Sequence, residues 1–310
     1  PDQQHGNDAL LHTLLKCFHH TVAAYMPVSL VPSLQRWLEI LVKILEQAPT
    51  FAVDDERRHT PRARAVKRVI QALMSLVTRH RRHVDKALPA VCAHAASLAG
   101  SLSARRLAAT SDRPLPAVVS RQCALCFDLL ARVSETAPGF KLLAPNFGRL
   151  LESAVFPALC AAAEDEDDFQ EDEEEYLQRN LPTDGDDPTG FNEELYAPRQ
   201  SAANLLGLLA ERGSTGGTAP GGGGGGGGAG GAAAGDKNAK RKKGSGGRNK
   251  ANGKSRAPTT PGDVALRFFE RFPPPAAAAA AAPAEYKSAS SSYYGVLVAY
   301  GALSGWLEKN

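Results

Sequence analysis

No apolar stretch in this 310-residue sequence approaches the roughly 20 residues a membrane-spanning helix requires, so a membrane-embedded protein is not expected. Aromatic residues are only 6 % of the chain, with two Trp, and methionine is nearly absent, with two Met. Nowhere does a sustained alternation of apolar and polar residues appear, and that excludes a half-buried sheet. Five cysteines, odd in number and widely scattered, do not make a disulfide framework and point to a reducing, intracellular compartment. The opening PDQQHGND has neither a basic start nor an apolar core, so no secretory leader is expected, and without an initiator Met the chain is expected to be a fragment.

Catalytic signatures are missing as well. There is no G-x-S-x-G, no H-E-x-x-H and no kinase-type motif. Eight consecutive glycines, Gly221 to Gly228, follow no strand and precede no Gly-Lys-Ser/Thr, which rules out a phosphate-binding loop. Cys123-x-x-Cys126 has redox or zinc spacing, but it sits inside RQCALCFDLL, an apolar helical pattern, with no second pair to complete a metal site. Core cysteines are the better reading. His19, His20, His80 and His83 lie among basic or polar residues without carboxylate or thiolate partners, and read as solvated helix faces. No enzyme, cofactor, metal site or small-molecule substrate is expected.

What the sequence does have is helical periodicity. Leu10, Leu11, Leu14, Leu15, Phe18 and Val22 form one stripe over Asp8–Tyr25. Pro27 and Pro32 then break the chain, and Ser33 is placed to cap a helix through about Gln47. Thr60-Pro61 gives a cap followed by Pro at the first helical position. Further helices are expected over about 84–108, after Pro116, after Pro145-Asn146, after Thr260-Pro261, and from about Tyr294 to Lys309. The pairs begin near residues 8, 62 and 117, a spacing of roughly 50, against about 40–47 for HEAT solenoids. The spacing is a little long for a solenoid, and a compact bundle fits the pattern too. The expected organisation is helical pairs over 1–163, an acidic segment with a short helix over 164–197, and a helix over 198–212. A Gly-rich and basic insert over 213–259, expected to be disordered, precedes final helices over 260–310, interrupted by a Pro/Ala spacer.

Charge is strongly segregated. The net charge is +3, yet Glu164 to Glu194 holds 15 acidic residues and one basic one, Arg179, a net of −14, so the remainder carries +17. The densest part, EDEDDFQEDEEEYLQRN, contributes Glu164, Asp165, Glu166, Asp167, Asp168, Glu171, Asp172, Glu173, Glu174 and Glu175, with Phe169 and Tyr176 among them. So many like charges repel one another into water and are unsuited to acid–base catalysis. A solvated loop is the plain reading; a counter-surface for a basic partner is the functional one, and the embedded aromatics favour it. The basic residues Arg57, Arg58, Arg62, Arg64, Lys67 and Arg68, extended by Arg79, Arg81, Arg82 and Lys86, read as a solvated face or, alternatively, a nucleic-acid contact. KNAKRKKG, Lys237 to Gly244, reads as a basic linker, a nuclear localisation motif, or a segment that folds back onto the acidic loop.

From Phe156 onward the sequence resembles the importin-β (karyopherin-β) superfamily, most closely its importin seven/eight branch. The resemblance rests on Phe156, Pro157, Asp165, Glu166, Glu171, Asp172, Glu175, Tyr176, Tyr196, Pro198, Arg199, Ala202 and Ala203. Gly295, Gly301, Ala302 and Leu303 match further on, and Trp37 and Leu38 upstream. The exportin that recycles importin-α shares the Glu-Glu-Tyr core but not the Tyr-x-Pro-Arg. The resemblance implies an all-α right-handed HEAT-repeat (armadillo-like) solenoid serving as a nuclear transport receptor, present in cytoplasm, nucleus and nuclear pore. It implies Ran-GTP, basic cargo such as ribosomal proteins and histones, Phe-Gly nucleoporins, and importin-β itself as partners. Glu164–Asp168 and Glu171–Tyr176 are the expected contact residues for basic cargo or Ran. The alternatives are a helical-repeat scaffold or acidic chaperone without a transport cycle, and the related exportin.

Overall fold

The computed structural model describes residues 2–48, 61–110, 115–174, 197–214, 260–275 and 283–310. The fold is all-helical, and no strand occurs among the described residues. The helices are α1 (Asp2–Ala24), α2 (Leu34–Glu46), α3 (Pro61–Arg79), α4 (Leu88–Ala108), α5 (Ala117–Ser134), α6 (Ala137–Leu143), α7 (Phe147–Leu150), α8 (Phe156–Leu159) and α9 (Ala163–Glu171). They continue with α10 (Pro198–Ser214), α11 (Pro261–Phe269), α12 (Pro283–Ala302) and α13 (Ser304–Leu307). Residues 49–60, 215–259 and 276–282, which include Arg57, Arg58, the Thr60 cap and nearly all of the Gly-rich insert, lie outside the described residues.

The helices pack as a stack two layers deep. In the first layer α1 packs on α3, α3 on α5, α5 on α10, and α10 on α12 and α13. Cross-links between like ends show that they run parallel. Arg62 meets Asp8 at 3.3 Å, while His80 Nε2 lies 2.9 Å from the Val22 carbonyl. Gln122 donates to the Ala63 carbonyl at 2.6 Å, and Arg212 to that of Ser134. Arg199 lies over the Tyr294 ring and Lys309 reaches Glu211. The second layer stacks α2 on α4, α4 on the α7–α8 region, and α7 on α11. One apolar core runs between the layers, from Leu15 and Val22 through Leu73, Phe127, Leu151 and Leu206 to Trp306.

Proline and glycine set the local departures. From Phe147 to Leu159 the chain is helical throughout, but Leu151–Val155 widens into a π turn. Pro157 follows; it lacks an N–H, and its ring would strike the carbonyl of Ser153 in an α-helix, so the wider turn relieves the clash. That Ser153 carbonyl faces Gly100 of α4, where a Cβ would lie 2.8 Å from its oxygen, so α4 approaches as closely as glycine permits. Beside Pro157, Phe156 stacks on α11 and the residues just after it, 5.0 Å from Phe268 and 4.5 Å from Phe272, ring centre to ring centre.

The helix signals in the sequence are met unevenly. Thr260 Oγ1 accepts from the Asp263 N–H at 3.2 Å, and Asp263 accepts from the Thr260 N–H at 2.9 Å, a reciprocal cap. Ser33 does precede α2, but its hydroxyl donates to the Leu30 carbonyl at 3.0 Å instead of capping. Val28–Ser33 is already a 3₁₀ turn, so Ser33 has helical backbone angles, and its oxygen cannot reach the α2 amides. Helix α10 runs to Ser214, two residues past the boundary expected from sequence, and α12 starts at Pro283, well before Tyr294.

Candidate functional site

The acidic segment leaves the stack through an ion-paired joint. Helix α9 opens with Ala163, and its third residue, Asp165, turns its carboxylate back toward the helix start, where Oδ2 accepts the Ala162 N–H at 2.6 Å. A carboxylate there satisfies one of the unpaired amides of a helix N-terminus and favours the positive end of the helix dipole. The same oxygen accepts from Arg106 Nη2 at 2.6 Å and from Arg199 Nη2 at 2.5 Å. All three side chains are largely out of water: 14 % of Asp165, 10 % of Arg106 and 8 % of Arg199 remain exposed.

Each arginine has further work. Arg106, in the last turn of α4, donates from Nη1 to the carbonyls of Ala158 at 3.3 Å and Cys160 at 3.0 Å. Those carbonyls end α8 and have no intrahelical donor, so the guanidinium closes that helix as well as meeting Asp165. Arg199, one residue after the buried Pro198 that opens α10, sits 4.9 Å above the centre of the Tyr294 ring. The joint therefore fastens α4, α8, α9, α10 and α12 at one point. The Ala161 carbonyl accepts from Ser291 Oγ at 2.6 Å beside it.

Beyond Asp165 the run faces solvent. Asp167, Asp168, Glu171, Asp172, Glu173 and Glu174 are all exposed, and Asp167, Asp168 and Glu171 share one face of α9 at i, i+1 and i+4. Phe169 is 40 % exposed. Of Glu164 and Glu166 only the helical backbone is described, and Glu175 and Tyr176 lie outside the described residues. The structure thus divides the residues expected to meet a partner. It brings Asp165 inward onto two cations and sets six carboxylates outward.

The other candidates resolve into structure. Cys123 and Cys126 are fully buried, and burial pushes the Cys123 thiol up to about 11 and that of Cys126 well above the ordinary value. Cys92 and Cys160 are likewise raised to about 11 by burial. Buried thiols held protonated are neither nucleophiles nor ready metal ligands. No group of three or more His, Cys, Asp or Glu side chains placed to hold a metal occurs among the described residues, and no described helix is long and apolar enough to cross a membrane. His20 and His83 are exposed as expected, whereas His80 ties the ends of α1 and α3, and His19 is half-buried with Nδ1 unpaired. Both of these are corrections to the solvated-face reading: the stripe of α1 that packs on α3 takes His19 with it.

Two members of the joint, Arg106 and Tyr294, were not singled out from sequence. Arg106 carried a signal, because it continues the buried stripe Leu98, Leu102 at i+4, where an arginine must find partners. Tyr294 carried none.

The fold and its joint define a class: a two-layer, all-helical stack with an anionic segment fixed to it by a buried carboxylate between two arginines. Comparison with protein-family models, with curated proteins and with solved structures found no match to this chain.

Proposed function

We propose that the chain is an internal part of a nuclear import receptor of the importin-β kind, a HEAT-repeat solenoid that carries basic protein cargo under the control of Ran-GTP. The observation that carries this reading is the anchored acidic segment. Its base is immobilised by Arg106 and Arg199, while Asp167, Asp168 and Glu171–Glu174 stand in water as a dense negative surface. Such a surface speeds encounter with Lys/Arg-rich proteins and selects for them. The parallel, two-per-repeat stacking is the arrangement a helical solenoid requires. Asp165 and Arg199, two residues on which the resemblance rests, are in direct contact across 34 positions of sequence, which fits that reading. Cytoplasm, nucleus and pore follow as locations, and Phe-Gly nucleoporins and importin-β as further partners.

The test is a pulldown of a basic ribosomal protein with and without Ran locked in its GTP form. It compares the whole chain with a variant in which Asp167, Asp168 and Glu171–Glu174 become Asn or Gln and Asp165 is kept. Cargo that is bound, weakened by neutralisation and released by Ran-GTP is the expected result. Binding indifferent to Ran would favour the scaffold or acidic-chaperone reading, and binding indifferent to neutralisation would remove the acidic segment from the function.

A further inference from the structure

A gap runs along the second layer, beside α4. Packed helices lie about 8–10 Å apart, and side chains normally fill the space between them. Along one face of α4 the chain supplies only small residues, Ala93, Ala96, Ser97, Gly100 and Ser101, at i, i+3, i+4, i+7 and i+8. Leu142 of α6 and Leu150 of α7 form the opposite wall. A half-open groove of about 500 Å3 remains between them, within the usual size of ligand pockets. It narrows where Gly100 meets Ser153, whose carbonyl oxygen would lie 2.8 Å from a Cβ at that glycine.

Several polar groups of the groove lack partners. Thr13, Thr21, Ser75 and Ser153 each return the hydroxyl to the carbonyl four residues earlier, whereas Ser97 and Ser101 find no partner among the described residues. The Arg149 guanidinium, exposed at the groove, makes no ion pair or hydrogen bond among them either. Asn146 donates to the Leu142 carbonyl at 3.2 Å, which leaves its side-chain oxygen to accept. No acidic residue occurs over 88–108 or 137–151, and Glu152, the next along, faces Arg271 at 3.6 Å. The result is an apolar slot with one uncompensated cation and no carboxylate on its walls.

We propose that this groove is a docking site for an extended acidic segment of a partner protein, which lodges apolar side chains between the two walls and sets a carboxylate on Arg149. The spacing favours an extended chain. Ser97 and Ser101 stand about 6 Å apart along α4, close to the roughly 6.6 Å repeat of same-side groups in a strand, so the two hydroxyls match successive backbone groups along one edge. From Pro89 to Ser101 the α4 wall runs about 18 Å, which about five extended residues span. Walls without carboxylates select an acidic segment over a basic one. Single-stranded nucleic acid is held largely by stacking on aromatics, and no aromatic side chain lines the groove.

The experiment is fluorescence anisotropy with a rhodamine-labelled Val-Asp-Val-Asp-Val peptide, whose β-branched residues favour the extended form. A Val-Lys-Val-Lys-Val peptide and a single-stranded oligonucleotide are titrated beside it. The whole chain is compared with Ser97→Trp, which fills the groove from an exposed position, and with Arg149→Glu. Circular dichroism and thermal melting confirm that each variant is folded, and Ala93→Trp, also exposed, serves if Ser97→Trp is not. Saturable binding of the acidic peptide below about 1 mM is expected, weakened about tenfold by Ser97→Trp. Arg149→Glu should weaken it about threefold, the effect of one exposed ion pair, and should improve binding of the Lys peptide. No saturable binding in that range overturns the proposal. So does a Lys peptide bound as tightly as the acidic one, binding unchanged in the folded groove-filling variant, or an oligonucleotide bound tighter than the peptide through Arg149. No arm involves Ran, cargo or the acidic segment, so failure here leaves cargo binding by that segment untouched.

Discussion

Replacing Asp165 by Asn tests whether the acidic segment begins with a structural residue. The asparagine keeps the size and one acceptor oxygen but removes the charge, leaving the Arg106 and Arg199 guanidiniums facing each other at the joint. Both residues are buried, so water screens little of that repulsion. Removing one member of a buried ion pair costs about 3–5 kcal/mol, mostly through the charge left behind. Arg106 retains the Ala158 and Cys160 carbonyls, and Arg199 retains the Tyr294 ring, so the low end applies, about 3 kcal/mol. For a chain of 310 residues that lowers the melting temperature by roughly 5 °C. The assay is urea unfolding followed by far-ultraviolet circular dichroism, with Asp168→Asn as the control, since an exposed carboxylate on the same helix should change stability by less than about 0.5 kcal/mol. If Asp165→Asn proves as neutral as Asp168→Asn, the joint contributes nothing, and the division of the acidic run falls with it.

Three further outcomes are expected. Burial raises the carboxyl of Asp128, against the opposing effects of Ser201 and Arg132. An acid whose folded pKa lies above its unfolded value destabilises the fold once ionised, so Asp128→Asn should stabilise at pH 7, and melting curves taken at falling pH should show the gain vanish below about pH 4. Among the five cysteines only Cys17 is exposed; mass spectrometry after brief iodoacetamide treatment at about pH 8 should find it alkylated and Cys92, Cys123, Cys126 and Cys160 protected until urea is added. At Gly262 a Cβ would fall on the Trp306 ring, so Gly262→Ala should cost about 1–3 kcal/mol and move Trp306 fluorescence toward that of exposed tryptophan.

The all-helical class was legible because apolar spacing reports burial directly: Leu34, Leu38, Leu41 and Leu45 line the inner face of α2 as their period demands. The capping signal at Thr260-Pro261 was legible for the same reason, since it is closed within four residues. The joint was not, because its members lie 59 and 34 positions apart and nothing local to Arg106 or Tyr294 names the partner. Ser33 shows the converse failure. The residue type is right for a cap, but a 3₁₀ turn entering α2 fixes its backbone angles in a way that local sequence does not reveal.

Composition treats the ten carboxylates from Glu164 to Glu175 as one feature, and the structure makes them unequal. Asp165 is engaged by two arginines and a helix amide, and Asp167 to Glu174 project from the helix it anchors. Neutralising the whole run would therefore remove a buried ion pair and a surface charge at once, and lost cargo binding could come from either. Keeping Asp165 while changing the exposed carboxylates isolates the surface; changing Asp165 alone isolates the joint. If the exposed set governs cargo and Asp165 governs stability, their effects should add. A large coupling between them would mean instead that the direction in which Arg106 and Arg199 hold α9 is itself part of how the segment meets its cargo.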